Sequence, residues 1–268
     1  MLEKYPITTF CAPPTAFRSL VQEDLKRFRF RSLRHCVSAG EPLNPEVIEA
    51  WKQATGLTIY DGYGQTETVC LVGNFRSLPV RPGSMGKPMP GFHIAIVDDA
   101  GNPVPAGKEG DIAVSVSPER PVGIFQEYLA APDLNTAARR GDWYVTGDRG
   151  LCDSDGYFWF VGRADDVIIT AGYRVGPFEV ESALVEHPAV VEAAAVAKKD
   201  ELRGHIIKAF VVLAANCAPS DALVAQLQDH VKSVTAPYKY PREIEFVSEL
   251  PKTISGKILR RELRVRGK

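Results

Sequence analysis

Residues 61–67 combine glycines with polar side chains in a pattern that suits the binding of phosphate and a metal ion. They read Asp-Gly-Tyr-Gly-Gln-Thr-Glu and directly follow residues 57–60, an apolar stretch that is predicted to be a strand. The two glycines let backbone N–H groups approach an anion, Thr66 offers a hydroxyl, and Glu67 offers a carboxylate for Mg²⁺. The same residues would also suit a polar turn that binds no ligand.

A second loop, residues 38–43, reads Ser-Ala-Gly-Glu-Pro-Leu and also follows a predicted strand. Ligands of open α/β sheets lie at the carboxyl ends of the strands, so this loop and residues 61–67 could form one crevice. Taken alone, the loop is equally typical of an ordinary strand-to-helix turn.

Asp148 and Arg163 have side chains that suit a nucleotide. Asp148 ends the string Trp-Tyr-Val-Thr-Gly-Asp, and Arg163 lies in Gly-Arg-Ala-Asp-Asp-Val-Ile-Ile-Thr-Ala-Gly-Tyr-Arg, residues 162–174. A carboxylate can accept hydrogen bonds from both hydroxyls of a ribose, and a guanidinium supplies a fixed fork of donors. The alternative is a surface salt-bridge network near a domain junction.

Lys257 follows a flexible Ser-Gly step in the string Pro-Lys-Thr-Ile-Ser-Gly-Lys-Ile-Leu-Arg-Arg, residues 251–261. A mobile ammonium can neutralise the charge that develops between a carboxylate and a phosphate. Most lysines are simply solvated, so the functional interpretation of Lys257 depends on the other three segments.

Three regions with different patterns must position these residues. Up to residue 63 the pattern predicts strands at 33–38 and 57–60 around a helix at 45–55 that Asn44 caps, and a buried strand at 5–10. Residues 83–160 have short strand-like runs between Pro and Gly, which predict a β-rich subdomain with strands at 94–97, 111–116, 143–146 and 157–161. An Asp-Asp-Ala-Gly-Asn turn at 98–102 joins two of them.

The third region, after Arg163, predicts a small α+β domain. The pattern gives a βαββαβα order, with an apolar stripe at Leu223, Leu227 and Val231 on the second helix. The predicted elements are a strand at 167–170, a helix at 177–186, strands at 190–196 and 206–213, a helix after Ser220, a strand at 244–247 and a helix from Lys257.

Composition narrows the classes of function. The 268 residues carry 32 basic and 33 acidic side chains, so no global charge favours nucleic acid as a partner. The five cysteines form no Cys-x-x-Cys pair and the histidines are scattered, which favours a reducing compartment and predicts no structural metal. No apolar run is long enough to predict a transmembrane segment.

Taken together, residues 63–67, 146–148, 162–174 and 251–257 resemble the core motifs of the acyl-adenylate-forming (AMP-binding) superfamily, which includes acyl-CoA synthetases, adenylation domains of peptide synthetases and firefly luciferase. The strings at 83–88, 155–160 and 235–242 resemble the medium-chain acyl-CoA synthetases and disfavour luciferase. The resemblance implies the carboxyl-terminal part of the large AMP-binding domain at 1–163, with a βα sheet and a β-rich subdomain. A small mobile α+β domain is implied at 164–268.

The implied reaction uses ATP, Mg²⁺ and coenzyme A. A medium-chain fatty or aromatic acid and ATP give acyl-AMP and diphosphate, and the CoA thiol then displaces AMP. The resemblance implies catalytic roles for Lys257, Thr66 and Glu67, with Glu67 holding Mg²⁺. The residues implied to hold the adenine and the α-phosphate are Gly40, Glu41, Pro42, Asp61, Gly62, Tyr63, Gly64, Gln65 and Thr66.

Other residues are implied to hold the ribose and CoA. Asp148 would bind the ribose hydroxyls, Arg163 would anchor the nucleotide, and Arg174 would lie near the acyl-phosphate. The small domain would turn about Asp165 between the two steps. The residues implied to contact CoA are Ala171, Gly172 and Tyr173 along the pantetheine and Arg203, Tyr240 and Arg242 at the nucleotide. Arg203 and Arg242 would equally suit solvated surface positions.

One family feature is not found in these residues, a Ser/Thr/Gly-rich loop ending in Pro-Lys that binds the β- and γ-phosphates. The resemblance therefore predicts that the first half of the large domain is absent. Two hypotheses follow: a truncated synthetase, or a non-catalytic module that binds nucleotide or CoA and regulates a full-length partner. The resemblance places an animal protein in the mitochondrial matrix and a bacterial one in the cytoplasm.

Overall fold

The computed structural model describes residues 1–253 and 256–266. Its contacts divide the chain into two compact units, Met1–Phe160 and a second unit that begins at Val161. Each unit has hydrophobic clusters of its own. The fold is mixed α/β, as the sequence predicted.

The first unit is built on one large sheet, whose strands run in the order β1-β2-β3-β4-β5-β10-β9-β7-β6, with β8 beside β9. The strands are β1 Thr9–Cys11, β2 His35–Ala39, β3 Ile59–Gln65, β4 Val69–Gly73, β5 Ser84–Pro88, β6 Ile94–Val97, β7 Gly110–Ser115, β8 Arg139–Arg140, β9 Trp143–Cys152 and β10 Phe158–Arg163. The helices are α1 Pro14–Leu20, α2 Pro45–Thr55 and α3 Pro132–Ala137, with a 3₁₀ turn at Leu25–Arg27.

Helix α2 has the predicted bounds. It begins with Pro45 at its first turn and ends at Gly56, whose φ of 74° only glycine adopts at little cost. Trp51 is its fully buried anchor. Asn44 occupies the N-cap position, as predicted, but its side chain makes no capping hydrogen bond and instead accepts one from Arg18 at 3.4 Å.

Two predicted strands at the start of the chain differ from those in the structure. The first strand is Thr9–Cys11 at the edge of the sheet, and Tyr5 is 45% exposed, so a buried strand at 5–10 was wrong. The strand predicted at 57–60 continues to Gln65, because its second half pairs with β4. The β-propensity of residues 61–65 does not reveal that they pair with β4.

The β-rich region follows its predicted pattern, with one longer strand. Asp98 forms the predicted turn by accepting hydrogen bonds from the backbone of Ala100 and Asn102, each at 2.9 Å. The strand predicted at 143–146 is β9, which extends through Cys152 because it pairs with β7 along most of its length. Asp148 therefore lies inside a strand.

The second unit has a two-stranded hairpin and a three-stranded sheet. Its elements are β11 Ile168–Thr170, β12 Tyr173–Val175, α4 Pro177–Val185, β13 Val190–Asp200, β14 Gly204–Leu213, α5 Asp221–Val234, β15 Glu243–Phe246 and α6 Arg260–Arg266. β11 pairs with β12, and β14 lies between antiparallel β13 and parallel β15.

The prediction for this unit lacked β12 and began the last helix at Lys257, whereas α6 begins at Arg260. The predicted stripe on α5 is confirmed, since Leu227 and Val231 are fully buried. Ser220 caps this helix by accepting a hydrogen bond from the Leu223 N–H at 3.2 Å. In the part of the chain that the structure describes, no helix has the length and apolarity of a membrane span.

Candidate active site

The two glycine-bearing segments lie at the carboxyl ends of two neighbouring strands. Parallel strands β2 and β3 pair with Ser38 opposite Asp61 and Ala39 opposite Gly62. The loop at Gly40 therefore leaves the sheet beside the polar half of β3. The expected turn at 61–67 was only partly right, because residues 61–65 are strand and the turn to β4 occupies 66–68.

Asp148 receives two short hydrogen bonds from β3. Its Oδ2 accepts from the Tyr63 hydroxyl at 2.6 Å and from the Gln65 amide at 2.7 Å, and only 5% of Asp148 is exposed. The Gln65 amide also donates to the Thr146 carbonyl at 2.9 Å. Two motifs more than 80 residues apart thus form one hydrogen-bonded cluster around a carboxylate.

Tyrosine side chains extend this cluster. Tyr63 was a predicted site residue, whereas Tyr144 and Tyr128 were not. The Tyr144 hydroxyl donates to Gln65 Oε1 at 3.1 Å. Burial, and then the nearby charge of Asp148, raises the pKa of Tyr63 well above its ordinary value. Burial, and then Tyr128, raises the pKa of Tyr144. Both phenols therefore stay protonated and act as donors at neutral pH.

Asp61 is a buried carboxyl with an unsatisfied oxygen. It is 6% exposed, and its Oδ1 has no hydrogen-bond partner within the structure. Burial raises its pKa well above 3.8, and the hydrogen bond from the Gly62 backbone only partly opposes this. The hydroxyl of Ser38, opposite it on β2, is also buried without a partner. Such groups in a native structure call for a ligand or a water molecule.

Glu67 lies in the turn after β3 and is half-buried, whereas Thr66 is exposed. Glu67 Oε1 accepts a hydrogen bond from the Tyr128 hydroxyl at 3.1 Å. The described residues contain no cluster of three or more His, Cys, Asp or Glu side chains that could hold a metal. Glu67 offers one half-buried carboxylate, and Mg²⁺ commonly takes one or two protein carboxylates and its other ligands from water and phosphate.

The Glu41 carboxylate is committed to neighbours on α1. It accepts hydrogen bonds from the Thr15 hydroxyl at 2.9 Å and from Arg18 at 3.0 Å. Neither partner was predicted from the sequence, because nothing in the local pattern indicates a contact 23 to 26 residues away. Fixing this side chain sets the course of the loop at Gly40, whose φ is 96°.

In the second unit, most residues expected to contact CoA lie close to one another. The Ala171 N–H donates to the Arg203 carbonyl at 3.3 Å, next to Gly172 with a φ of 84°. The Tyr173 ring stacks on Tyr238 with a centroid distance of 4.2 Å. Both rings are about half exposed, and Tyr238 was not among the predicted residues.

The remaining predicted residues of this unit lie at its surface. The Arg242 guanidinium lies over the Tyr240 ring at 5.0 Å. Arg163 pairs with Asp165 at 3.0 Å, and both side chains are more than half exposed. The exposed side chains of Arg174, on β12, and Lys257, before α6, complete the predicted set.

Comparison with known sequences identifies the family. The AMP-binding enzyme profile matches residues 1–129, and the profile of the AMP-binding enzyme C-terminal domain matches residues 179–257. The chain belongs to the AMP-binding enzyme family. Its similarity to acyl-coenzyme A synthetase ACSM3, mitochondrial, of Rattus norvegicus is 57% identity over 98% of this chain and 46% of that protein. Acyl-coenzyme A synthetase ACSM4, mitochondrial, of Homo sapiens is 60% identical over the same shares of both chains, 98% and 46%.

Solved structures of this family have the same fold. The anthranilate CoA ligase AuaEII in complex with anthranoyl-AMP superposes with a TM-score of 0.91 and 40% identity, covering all of this chain and 51% of that one. A benzoate CoA ligase from Burkholderia xenovorans LB400 gives a TM-score of 0.86, 36% identity, and coverage of 98% and 52%. The chain thus spans about half the length of the AMP-binding enzymes that it matches.

Proposed function

We propose that this chain is the carboxyl-terminal half of an AMP-forming acyl-CoA synthetase specific for medium-chain or aromatic acids. Residues 1–163 form the end of the large AMP-binding domain, and residues 164–268 form the small domain. The similarity to mitochondrial acyl-coenzyme A synthetases and to two aryl-CoA ligases supports the reaction class. The same names support a location in the mitochondrial matrix.

The observation that carries this proposal is the Asp148 carboxylate with its two donors from β3. Tyr63 and Gln65 bond to the same oxygen, Oδ2, at 2.6 and 2.7 Å. They hold the side chain in one orientation, and a carboxylate held in this way can accept hydrogen bonds from the hydroxyls of a ribose.

The first step joins the carboxylic acid to AMP. Gly40, with its positive φ, would let the backbone beside β2 approach the adenine, and the unsatisfied Asp61 Oδ1 would accept a hydrogen bond from its amino group. The exposed Thr66 hydroxyl would contact the α-phosphate. Lys257 brings an ammonium to the charge that develops as the carboxylate attacks phosphorus and diphosphate leaves.

Magnesium would be held by Glu67, whose Oε1 the Tyr128 hydroxyl keeps in place. When bound, the ion neutralises phosphate charge and so assists the departure of diphosphate. The role of the chain is to supply one oriented carboxylate and to leave the other positions of the ion to phosphate and water.

The second step transfers the acyl group from AMP to the CoA thiol, forming a thioester. The turn at Ala171 and Gly172, with positive φ at both residues, carries no side chain larger than a methyl group, so a narrow pantetheine arm could pass close to its backbone. The stacked Tyr173 and Tyr238 rings offer an aromatic surface beside it. A turn of the second unit about Asp165 would exchange this face for the one that bears Lys257.

A turnover assay tests this proposal directly. With ATP, Mg²⁺, hexanoate or benzoate and the amino-terminal half of a full-length relative, the purified chain should release diphosphate, and Lys257→Ala should abolish this release while AMP binding persists. Lys239→Ala is a matched control, because Lys239 is tied to Glu179 at 2.6 Å and has no assigned role in the reaction.

The alternative is a non-catalytic module that binds nucleotide or CoA and regulates a full-length partner. It is favoured if the chain binds AMP but releases no diphosphate, even when the amino-terminal half of a full-length relative is added. If neither the wild type nor Asp148→Asn binds AMP, both functions are contradicted. Asp148→Asn should weaken AMP binding by about tenfold or more, because it replaces one of the two acceptor oxygens by an amide group that can only donate.

A further inference from the structure

The backbone around Lys257 is fixed although its side chain is exposed. The Thr253 N–H donates to the Lys257 carbonyl at 2.8 Å, and the Lys257 N–H donates back to the Thr253 hydroxyl at 3.0 Å. The Leu259 N–H donates to the Pro251 carbonyl at 2.8 Å. The position of the lysine therefore depends on what anchors the two sides of this turn.

On the carboxyl-terminal side the anchor is Arg260, the first residue of α6. Its guanidinium makes three hydrogen bonds to Glu181 on α4, at 2.7, 2.9 and 3.1 Å. Glu181 is only 5% exposed, and its Oε1 also accepts from the Ala195 N–H of β13 at 2.9 Å. Arg260 thus ties the end of the lysine turn to two elements of the core through a bidentate pair.

Helix α6 also binds the segment next to Arg163. The Arg264 guanidinium donates to the Asp166 carboxylate and to the Asp165 carbonyl, the latter at 3.2 Å. Arg260 lies 3.8 Å from the other oxygen of Asp166. Two arginines one turn apart therefore share one carboxylate directly after the proposed hinge residue.

The helix between these contacts is firmly docked. Leu263 is completely buried and belongs to a hydrophobic cluster with Phe210 and Leu250. A short helix with a buried leucine and two arginines in ion pairs behaves as a rigid connector. A shift of residues 165–166 is then transmitted to the turn that bears Lys257.

We infer that Arg260 is a positioning residue for Lys257. Its pair with Glu181 acts as a clamp on the turn that bears Lys257, and the Asp166 carboxylate joins the segment next to the hinge residue Asp165 to this clamp. The role in catalysis rests on the proposed function, whereas the positioning itself does not. Without the Arg260–Glu181 pair, the lysine turn loses its tie to the core and Lys257 samples orientations that miss the phosphate. A misplacement of about 1 Å at a reacting group can cost about 100-fold in rate.

Hydrogen exchange of the intact chain tests the clamp without any need for activity. Arg260→Met should speed exchange of the Thr253 and Leu259 amides at least about tenfold relative to Arg261→Met. Arg261 is the matched control, because it is the next residue of α6, is exposed, and has no ion pair among the described residues. Exchange in β14 is the reference that reports global unfolding. Equal exchange at Thr253 and Leu259 in the two variants would overturn the inference.

Glu181→Gln separates local from global effects. It keeps the size of the side chain and its bond to β13 but removes the charge opposite Arg260. If Arg260→Met unfolds the unit, Glu181→Gln should still speed exchange at Thr253 and Leu259 while β14 stays protected. Unchanged exchange at these two amides in Glu181→Gln would then overturn the inference.

Kinetics of the two half-reactions test the role in catalysis. Arg260→Met should lower kcat for diphosphate release at least about tenfold, leave KM for ATP unchanged, and spare thioester formation from supplied acyl-AMP and CoA. Arg260→Lys should restore part of kcat. A general folding defect would slow both half-reactions equally and would contradict positioning. If the wild type releases no diphosphate, the proposed function fails for this chain, while the exchange comparison still decides whether Arg260 clamps the turn.

Discussion

Replacing Tyr63 with phenylalanine removes one hydroxyl from the candidate nucleotide site and leaves the ring in place. That hydroxyl donates at 2.6 Å to Asp148, whose exposure is 5%. A hydrogen bond to a charged group contributes about 1.5–3 kcal/mol. Because Gln65 still donates to the same oxygen at 2.7 Å, the expected loss is about 2 kcal/mol.

The matched control is Tyr60→Phe on the same strand. The Tyr60 ring packs against His35 at a centroid distance of 5.0 Å, and its hydroxyl has no hydrogen-bond partner among the described residues. Its removal should cost less than about 0.5 kcal/mol. The two variants differ in one hydrogen bond, so their difference measures the bond to Asp148.

Tryptophan fluorescence during thermal denaturation measures the effect selectively. The three tryptophans, Trp51, Trp143 and Trp159, all lie in the first unit. A loss of about 2 kcal/mol should lower the melting temperature of a unit of this size by about 4–8 °C. Equal midpoints for Tyr63→Phe and Tyr60→Phe would refute the role of this bond in stability.

The pH dependence of the same pair gives an independent check. Burial and the charge of Asp148 raise the folded-state pKa of Tyr63 above its unfolded value of about 10. The contribution of Tyr63 to the free energy of unfolding is therefore fully present below about pH 10 and is lost as pH rises toward the folded-state pKa. Tyr63→Phe has no such loss, so its deficit relative to the wild type should shrink at alkaline pH.

Three further predictions concern the first unit. Asp61→Asn should raise the urea midpoint at neutral pH. The pKa of Asp61 is raised in the folded state, so the wild type is most stable at acid pH, where this carboxyl is protonated, and loses stability as pH rises. The difference in urea midpoint between Asp61→Asn and the wild type should therefore widen from about pH 4 to pH 8, and a constant difference would contradict this. Phe17→Ala should cost about 3–5 kcal/mol in urea, since Phe17 is fully buried, whereas Phe28→Ala at a 47% exposed position should cost far less, and equal costs would contradict this. Gly86→Ala should prevent stable folding, because its Cβ would lie 2.1 Å from a backbone oxygen at a φ of 98°, whereas Gly91→Ala meets no atom within 4 Å at a similar φ and should fold; comparable soluble yields would contradict this.

Local patterns predicted the elements whose stabilising contacts are close in sequence. Helix α2 matched its predicted bounds, since Pro45 and Gly56 define its ends and its apolar spacing faces the core. The strands at 94–97 and 206–213 were found for the same reason. The predictions were wrong where a partner strand determines the length of a strand, as for β3, which is extended by pairing with β4, and β9, which is extended by pairing with β7.

The sequence alone determined which residue types are available for chemistry and the order in which their motifs occur. It therefore indicated the family, the glycine segments at Gly40 and Asp61, and Lys257 as the mobile cation. Motif order and local turn chemistry are properties of the chain itself, so they can be read without its fold.

Only the tertiary structure decided how these residues are held. It joined Asp148 to Tyr63 and Gln65, and it tied Arg260 to Glu181. These partners are between 79 and 85 residues apart, and no local pattern encodes their pairing. Burial in the folded chain, rather than residue type, is also what raises the pKa values of Tyr63 and Asp61.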